Sequence, residues 1–208
     1  MKIYDISWPI STATTGYKDR KVLSLESTRS FEKDGFRETK ITIDSHTGTH
    51  IDAPAHFLRD AKTIDQLDLS SVIGPCIVID MSVVSDGIIR DHLENLQINP
   101  GDIVLFKTVN SATQPTDKFT PHFIYLQFSG AQYLVERKVR AVGIDYLGIE
   151  RSQPDHLTHH ELFKHNITII EGLRLQAIKP GKYFLCCLPL NMIGLDAAPA
   201  RAVLIEGM

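Results

Sequence analysis

The sequence predicts an α/β fold on three observations. Short apolar runs rich in Val and Ile recur along the whole chain, two helical patterns each lead straight into such a run, and no internal repeat or linker divides it. With 208 residues the chain can bury a substantial apolar core, so residues 1–208 read as one domain.

The elements follow in order. Lys2 to Ile6 is the first strand candidate, and Glu38 to Ile43 the second. The latter sits in Arg37-Glu-Thr-Lys-Ile-Thr-Ile-Asp44, whose alternation predicts a strand with one packed face that delivers the histidines beyond its end. Cys76 to Met81, Ile103 to Lys107 and Ala141 to Ile144 carry β-branched side chains, which crowd a helix but fit a pleated sheet. Ser129 to Lys138 opens with a capping Ser and sets Ala131, Leu134 and Val135 at helical spacing, so a helix is expected just before the Ala141 strand. A second helix is expected over His156 to Lys164, after Pro154-Asp155, with Asp155 as its cap and Leu157, Leu162 and Phe163 as apolar anchors. It leads into Ile167 to Glu171, and Tyr183 to Leu188 is the last strand candidate. Lys18 to Lys33 and Ser111 to Thr120 are polar and aperiodic, and read as loops.

Composition narrows the function. Hydrophobic residues make up 43% and charged residues 23%, a globular balance without a disordered arm. Lys plus Arg number 22 against 25 for Asp plus Glu and are scattered, which argues against nucleic acid and for a small-molecule substrate. Cys76, Cys186 and Cys187 are odd in number, and two are adjacent in an apolar run, as expected of reduced thiols acting as small hydrophobes. The amino terminus lacks an apolar leader and no run approaches the roughly 20 residues of a spanning helix, so no membrane partner and a cytoplasmic location are expected.

The chemistry is concentrated between Asp44 and Phe57, where Asp-Ser-His46-Thr-Gly-Thr-His50-Ile-Asp52-Ala-Pro-Ala-His56-Phe packs three imidazoles and two carboxylates into fourteen residues. These donors suit borderline divalent ions, and burying several together is costly unless a positive charge compensates. His46 and His50 are four apart, as on a zinc-protease helix, but Gly48, Pro54 and the β-branched Thr47, Thr49 and Ile51 argue against a helix here. A turn at Thr47-Gly48-Thr49 instead brings His46 back beside His50, while His50 and Asp52 point to one side of an extended segment. Three convergent ligands suit a catalytic ion, because structural zinc is usually closed by four protein ligands. His156-Leu-Thr-His159-His160-Glu161, followed by a strand ending in Glu171, can supply the remaining donors.

His-x-Gly-Thr-His-x-Asp-x-Pro-x-His, from His46 to His56, resembles the signature of the cyclase-like metal-dependent hydrolases, which include bacterial kynurenine formamidase and isatin hydrolase. Asp5-Ile-Ser-Trp-Pro-Ile10, Arg140-Ala-Val-Gly-Ile-Asp145, Leu188-Pro-Leu and Pro199-Ala-Arg-Ala resemble the family's opening, central and closing segments. The family also places a histidine twelve residues before a glutamate, a spacing met by His159 and Glu171 and not by His160.

The resemblance implies a swivelling β/β/α fold with a mixed β-sheet core and flanking helices, assembled as a homodimer or homotetramer. It implies two divalent metal ions, zinc foremost and manganese as the alternative: one held by His46, His50 and Asp52, the other by His159 with Asp52 and Glu171 bridging. His56 is implied as the acid/base residue, with a further ligand or an ordered core histidine as the other readings of that side chain. Two close cations can activate water at neutral pH and polarise a carbonyl, and an imidazole can protonate a departing nitrogen.

Where kynurenine formamidases of the family carry Trp-Pro-Gly or Tyr-Pro-Gly, this chain has Tyr17-Lys18-Asp19. Tyr17 keeps a ring for stacking on a flat substrate, and the loop behind it is altered. The expected activity is hydrolysis of a C–N amide bond in a small aromatic or cyclic substrate, of the arylformamidase type. Opening of a cyclic amide or lactone, as in isatin hydrolase, and metal-dependent ligand binding without turnover are the alternatives. Trp8 reads as core anchor or pocket wall, Asp145 as the cap of the turn that follows it, and His92, His122, His156 and His165 as ordinary helix or surface histidines.

Overall fold

The computed structural model describes residues 1–207. The amino-terminal third contains β1 (Lys2–Asp5), β2 (Leu23–Arg29), α1 (Phe31–Asp34), β3 (Glu38–Ile43) and β4 (His50–Asp52). The middle contains β5 (Ile73–Asp80), β6 (Gly87–Ile88), α2 (Arg90–Leu93), β7 (Ile103–Lys107), β8 (Tyr125–Leu126), α3 (Phe128–Glu136) and β9 (Ala141–Ile144). The chain ends with α4 (Leu157–Lys164), β10 (Thr168–Glu171), β11 (Gly181–Pro189) and β12 (Ala197–Glu206).

The expected mixed sheet is present, but it closes on itself. Strands β12, β11, β5, β7, β9, β10 and β4 pair in that order, and β4 pairs back onto β12, giving a seven-stranded barrel with β1 added alongside β12. Pairings β5–β7, β7–β9 and β9–β10 are parallel, and those involving β4, β11 and β12 are antiparallel. Closure removes the open edges that a sheet otherwise exposes. The flanking helices are correspondingly few: among the described residues, only α3 and α4 reach eight residues.

Alternation along each strand builds two apolar layers. Ile103, Leu105, Ile51, Ile170 and Leu185 fill the barrel interior, while Val104, Phe106, Val142 and Ile169 face outward under Leu134 of α3 and Leu162 and Phe163 of α4. Leu162 is fully buried there, worth about 1.5–3 kcal/mol in docking α4 onto the barrel.

Several expectations need correction. The Glu38–Ile43 strand forms, but it pairs only with β2 as a two-stranded hairpin and has no packed face, with Ile41 60% exposed. Lys18 to Lys33, expected as a loop, contains β2. The ten-residue β12 passes through Pro199, whose missing N–H masks a strand in the sequence. Asp155 does not cap α4, because it adopts a left-handed conformation (φ 62°), and the cap is supplied by Glu150 instead. Asp145 does cap a turn, but a distant one: its carboxylate accepts from the backbone N–H and hydroxyl of both Thr108 and Ser111. Trp8 is a core anchor, 3% exposed and edge-on to Tyr146. Among the described residues, no helix is long and apolar enough to cross a membrane.

Candidate metal centre

The strand that closes the barrel carries the first donors. Ile51 points into the barrel, so His50 and Asp52 on either side of it point to the outer wall, beneath α4. In the antiparallel pairing with β10, His50 stands opposite Glu171, and His50 Nε2 lies 3.3 Å from Glu171 Oε2 and 3.4 Å from Asp52 Oδ1. The His50 Nδ1–H donates to the Gly48 carbonyl at 2.9 Å, which leaves Nε2 unprotonated toward the two carboxylates in the neutral ring.

The expected turn brings His46 back to the same point. Gly48 takes the left-handed conformation (φ 61°), and the His46 and His50 rings sit 5.0 Å apart. The turn packs on Gly172, where Thr49 Oγ1 donates to the Gly172 carbonyl at 2.5 Å. His46 Nδ1 lies 2.9 Å from Asp52 Oδ1, and its Nε2 lies 3.0 Å from Asp196 Oδ2. From α4, His159 Nε2 reaches Asp52 Oδ2 and Glu171 Oε1, each at 3.6 Å. Glu171 Oε1 also accepts the Ile149 N–H at 2.5 Å.

Five side chains from the turn, two strands and a helix thus converge, and four of them, His50, Asp52, His159 and Glu171, are at least 95% buried. Among the described residues, His50 Nε2 and both Asp52 oxygens have no hydrogen-bond partner. Buried polar atoms are normally satisfied, so unpartnered donors aimed at one another fit an ion between them. Donor atoms of His50, Asp52 and Glu171 lie within 4.8 Å of one another, as do those of His46, Asp52 and His56. Asp52 is common to both trios. This grouping differs from the expected one: His56 falls within donor reach of Asp52, while His46 and His50 fall in separate trios.

The electrostatics are those of a charge cluster. Burial opposes ionisation throughout, yet Asp52 and Asp196 lift His46 to about 9, and His50 and His159 hold Glu171 down to about 2 against burial and the repulsion of Asp52. Asp52 is held well below the usual carboxylate range by His159 and His46 despite its burial, and His159 is raised well above the usual imidazole value despite its own. His56 goes the other way, lowered by burial and by the neighbouring imidazoles against the pull of Asp52.

A cleft of about 420 Å³ opens over the cluster. His56 stands on its wall with its ring 4.1 Å from His46 and its Nδ1 3.5 Å from Asp196 Oδ2. Tyr17 also lines the cleft, its ring 4.7 Å from that of Phe119 and tilted to it by 60°, with its hydroxyl 3.3 Å from Ser152 Oγ. Lys18 and Asp19 behind it both adopt left-handed conformations.

Three site residues escaped sequence reasoning. Glu150 and Asp196 lie far along the chain from the histidine segment, and nothing in their spacing marks them. His156, expected to be an ordinary helix histidine, lines the cleft, with its Nδ1 2.5 Å from Glu150 Oε1 and its ring 4.5 Å from Phe57. His160 lies 6.0 Å from Phe57, ring to ring, and is absent from the carboxylate cluster that His159 enters.

A closed mixed barrel with a His/Asp/Glu cluster on its outer wall defines the class of protein. Residues 4–151 match the family described as "Putative cyclase", and the chain belongs to that cyclase family. It is 33% identical over 207 residues to a kynurenine formamidase of Salinibacter ruber, an alignment covering 98% of this chain and 97% of that protein. A solved structure described as a potential metal-dependent hydrolase with cyclase activity is 42% identical with a TM-score of 0.88, over 98% of this chain and 96% of the other. Isatin hydrolase A of Ralstonia solanacearum shares the fold at a TM-score of 0.86 and 21% identity, over 99% of this chain and 92% of the other.

Proposed function

We propose that this chain is a metal-dependent hydrolase that cleaves the C–N amide bond of a small aromatic or cyclic substrate, with arylformamidase-type activity first. The observation that carries the reading is the set of unpartnered buried atoms, His50 Nε2 and both Asp52 oxygens, facing Glu171, His46 and His159. The donor set fits two divalent ions, zinc foremost and manganese second, because Asp52 belongs to both trios and can bridge. Bound there, such ions polarise a carbonyl and make water nucleophilic near neutral pH.

The protein's own groups do the rest. His56, part-exposed on the cleft wall and with its pKa lowered, is placed to exchange a proton with the departing nitrogen. Tyr17 and Phe57 offer aromatic surface for a flat substrate. Kynurenine formamidases of similar length at 33% identity support the amide reading. The Tyr17-Lys18-Asp19 loop, with its left-handed pair, departs from the kynurenine formamidase pattern and weighs against formylkynurenine itself, which leaves ring opening of a cyclic amide or lactone as the second reading.

The test is a panel of N-formyl aromatic amines, cyclic imides and lactones with zinc- or manganese-loaded protein. Formate release supports the first reading, and ring opening without a second product supports the second. Binding without turnover across the panel returns the chain to a ligand-binding role, and activity untouched by chelation overturns the metal reading.

A homodimer or homotetramer in the cytoplasm is part of this proposal. It is supported by Leu25 and Ile41, paired on one face of the hairpin and 50% and 60% exposed, and by three free cysteines. Light scattering on the purified chain tests the assembly.

A further inference from the structure

Glu150 sits between β9 and α4, is 4% exposed, and divides its two oxygens between different tasks. Oε1 lies 2.5 Å from His156 Nδ1. Oε2 accepts the Thr158 N–H at 3.1 Å and the His159 N–H at 3.2 Å, satisfying two amides at the start of α4 that have no partner within the helix. The same oxygen lies 3.2 Å from His159 Nδ1, a charge contact without hydrogen-bond alignment, on the side of the ring away from the carboxylate cluster.

The connecting segment is held in an unfavourable shape. Ser152, Asp155 and His156 all take left-handed conformations (φ 47°, 62° and 47°), which non-glycine residues avoid unless their surroundings impose them. Glu150 ties the end of this strained stretch and the start of α4 to one carboxylate: His156 by its ring, and Thr158 and His159 by their amides. Strain maintained next to a candidate site is a reason to ask what it positions.

We propose that Glu150 is the positioning residue for His159, fixing the start of α4 and directing His159 Nε2 toward Asp52 and Glu171. A carboxylate beside Nδ1 favours the ring form that carries its proton there, leaving the Nε2 lone pair for an ion between Asp52 Oδ2 and Glu171 Oε1. Glu150 touches no substrate in this role. The proposal rests on the metal reading above.

The test compares Glu150→Gln with the wild type, using zinc affinity from competition with a chromogenic chelator and ¹⁵N signals of the histidine rings in the zinc-loaded full chain. Loss of a carboxylate behind a ligating histidine is expected to weaken zinc binding about 10- to 100-fold. In the wild type, the His159 ring should show its proton on Nδ1 and zinc on Nε2. Equal zinc affinity in the variant overturns the proposal. If the variant does not fold, the wild-type ring spectrum decides, and a proton on Nε2 overturns it. A wild type that binds no zinc defeats the metal reading itself and this inference with it, whereas loss confined to the variant separates the two.

Discussion

His50 and Glu171 face each other across the antiparallel pair β4–β10, with Nε2 and Oε2 3.3 Å apart and both side chains buried. The ladder that closes the barrel therefore also sets a donor pair of the candidate metal centre. Glu171→Gln keeps the shape and the backbone ladder but removes the charge. It should weaken zinc binding by more than the ~10–100-fold typical of residues one layer further out, with the far-ultraviolet spectrum unchanged. Retained affinity by chelator competition would contradict Glu171 as a ligand.

His56 stands within reach of Asp52 and lines the cleft. As an acid/base group its replacement in His56→Ala lowers kcat by about 10²–10⁴-fold while metal content is kept. Elemental analysis of the variant checks this, since loss of an ion would make His56 a ligand.

Metal binding should release protons. His46 is lifted from 6.5 to about 9 in the metal-free protein, so it is protonated at pH 7, and an ion requires the neutral ring. The sign for stability follows: with the folded pKa above the unfolded one, the contribution of His46 is complete below pH 6.5 and is lost as pH rises through 9. Glu171, lowered from 4.5 to about 2, contributes above pH 4.5 and is lost as pH falls through 2. Calorimetry of zinc binding at pH 7 in buffers of different ionisation heat checks the first point, and identical heats in all buffers would refute it.

Gly172 carries the cluster's geometry without donating to it. At φ 70°, a Cβ added there would meet the Gly48 carbonyl oxygen at 2.2 Å. Gly172→Ala should cost about 1–3 kcal/mol in chemical denaturation and displace the turn that joins His46 to His50, weakening zinc binding as well. A variant of unchanged stability and affinity would show that the turn relaxes freely.

Asp145 is fully buried, and its carboxylate accepts four hydrogen bonds from Thr108 and Ser111. Asp145→Ala strands those donors and should destabilise the fold by about 3 kcal/mol. Urea unfolding measures it. A difference under about 1 kcal/mol would mean that water replaces the carboxylate.

The clustering of His46, His50 and Asp52 was legible in sequence because local rules govern it. Gly48 permits a turn only a few residues long, and the alternation of an extended strand places His50 and Asp52 on one side, so three donors converge with no knowledge of the rest of the chain. The strands Ile103–Lys107 and Ala141–Ile144 were legible for a similar reason, since β-branched residues state their preference residue by residue.

What the tertiary structure alone decided is everything that depends on distant partners. Barrel closure by the three residues of β4 cannot be read from those residues, because it is the pairing with β10 and β12 that makes them a strand. The unpacked face of β3 shows the reverse case: its alternation foretold a buried side that the fold leaves open. Glu150 and Asp196 become site residues only when the chain folds them against His159 and His46, at separations of 9 and 150 residues. Backbone preference acts over a few bonds and is written locally, whereas side-chain electrostatics act through space and take their meaning from the completed fold.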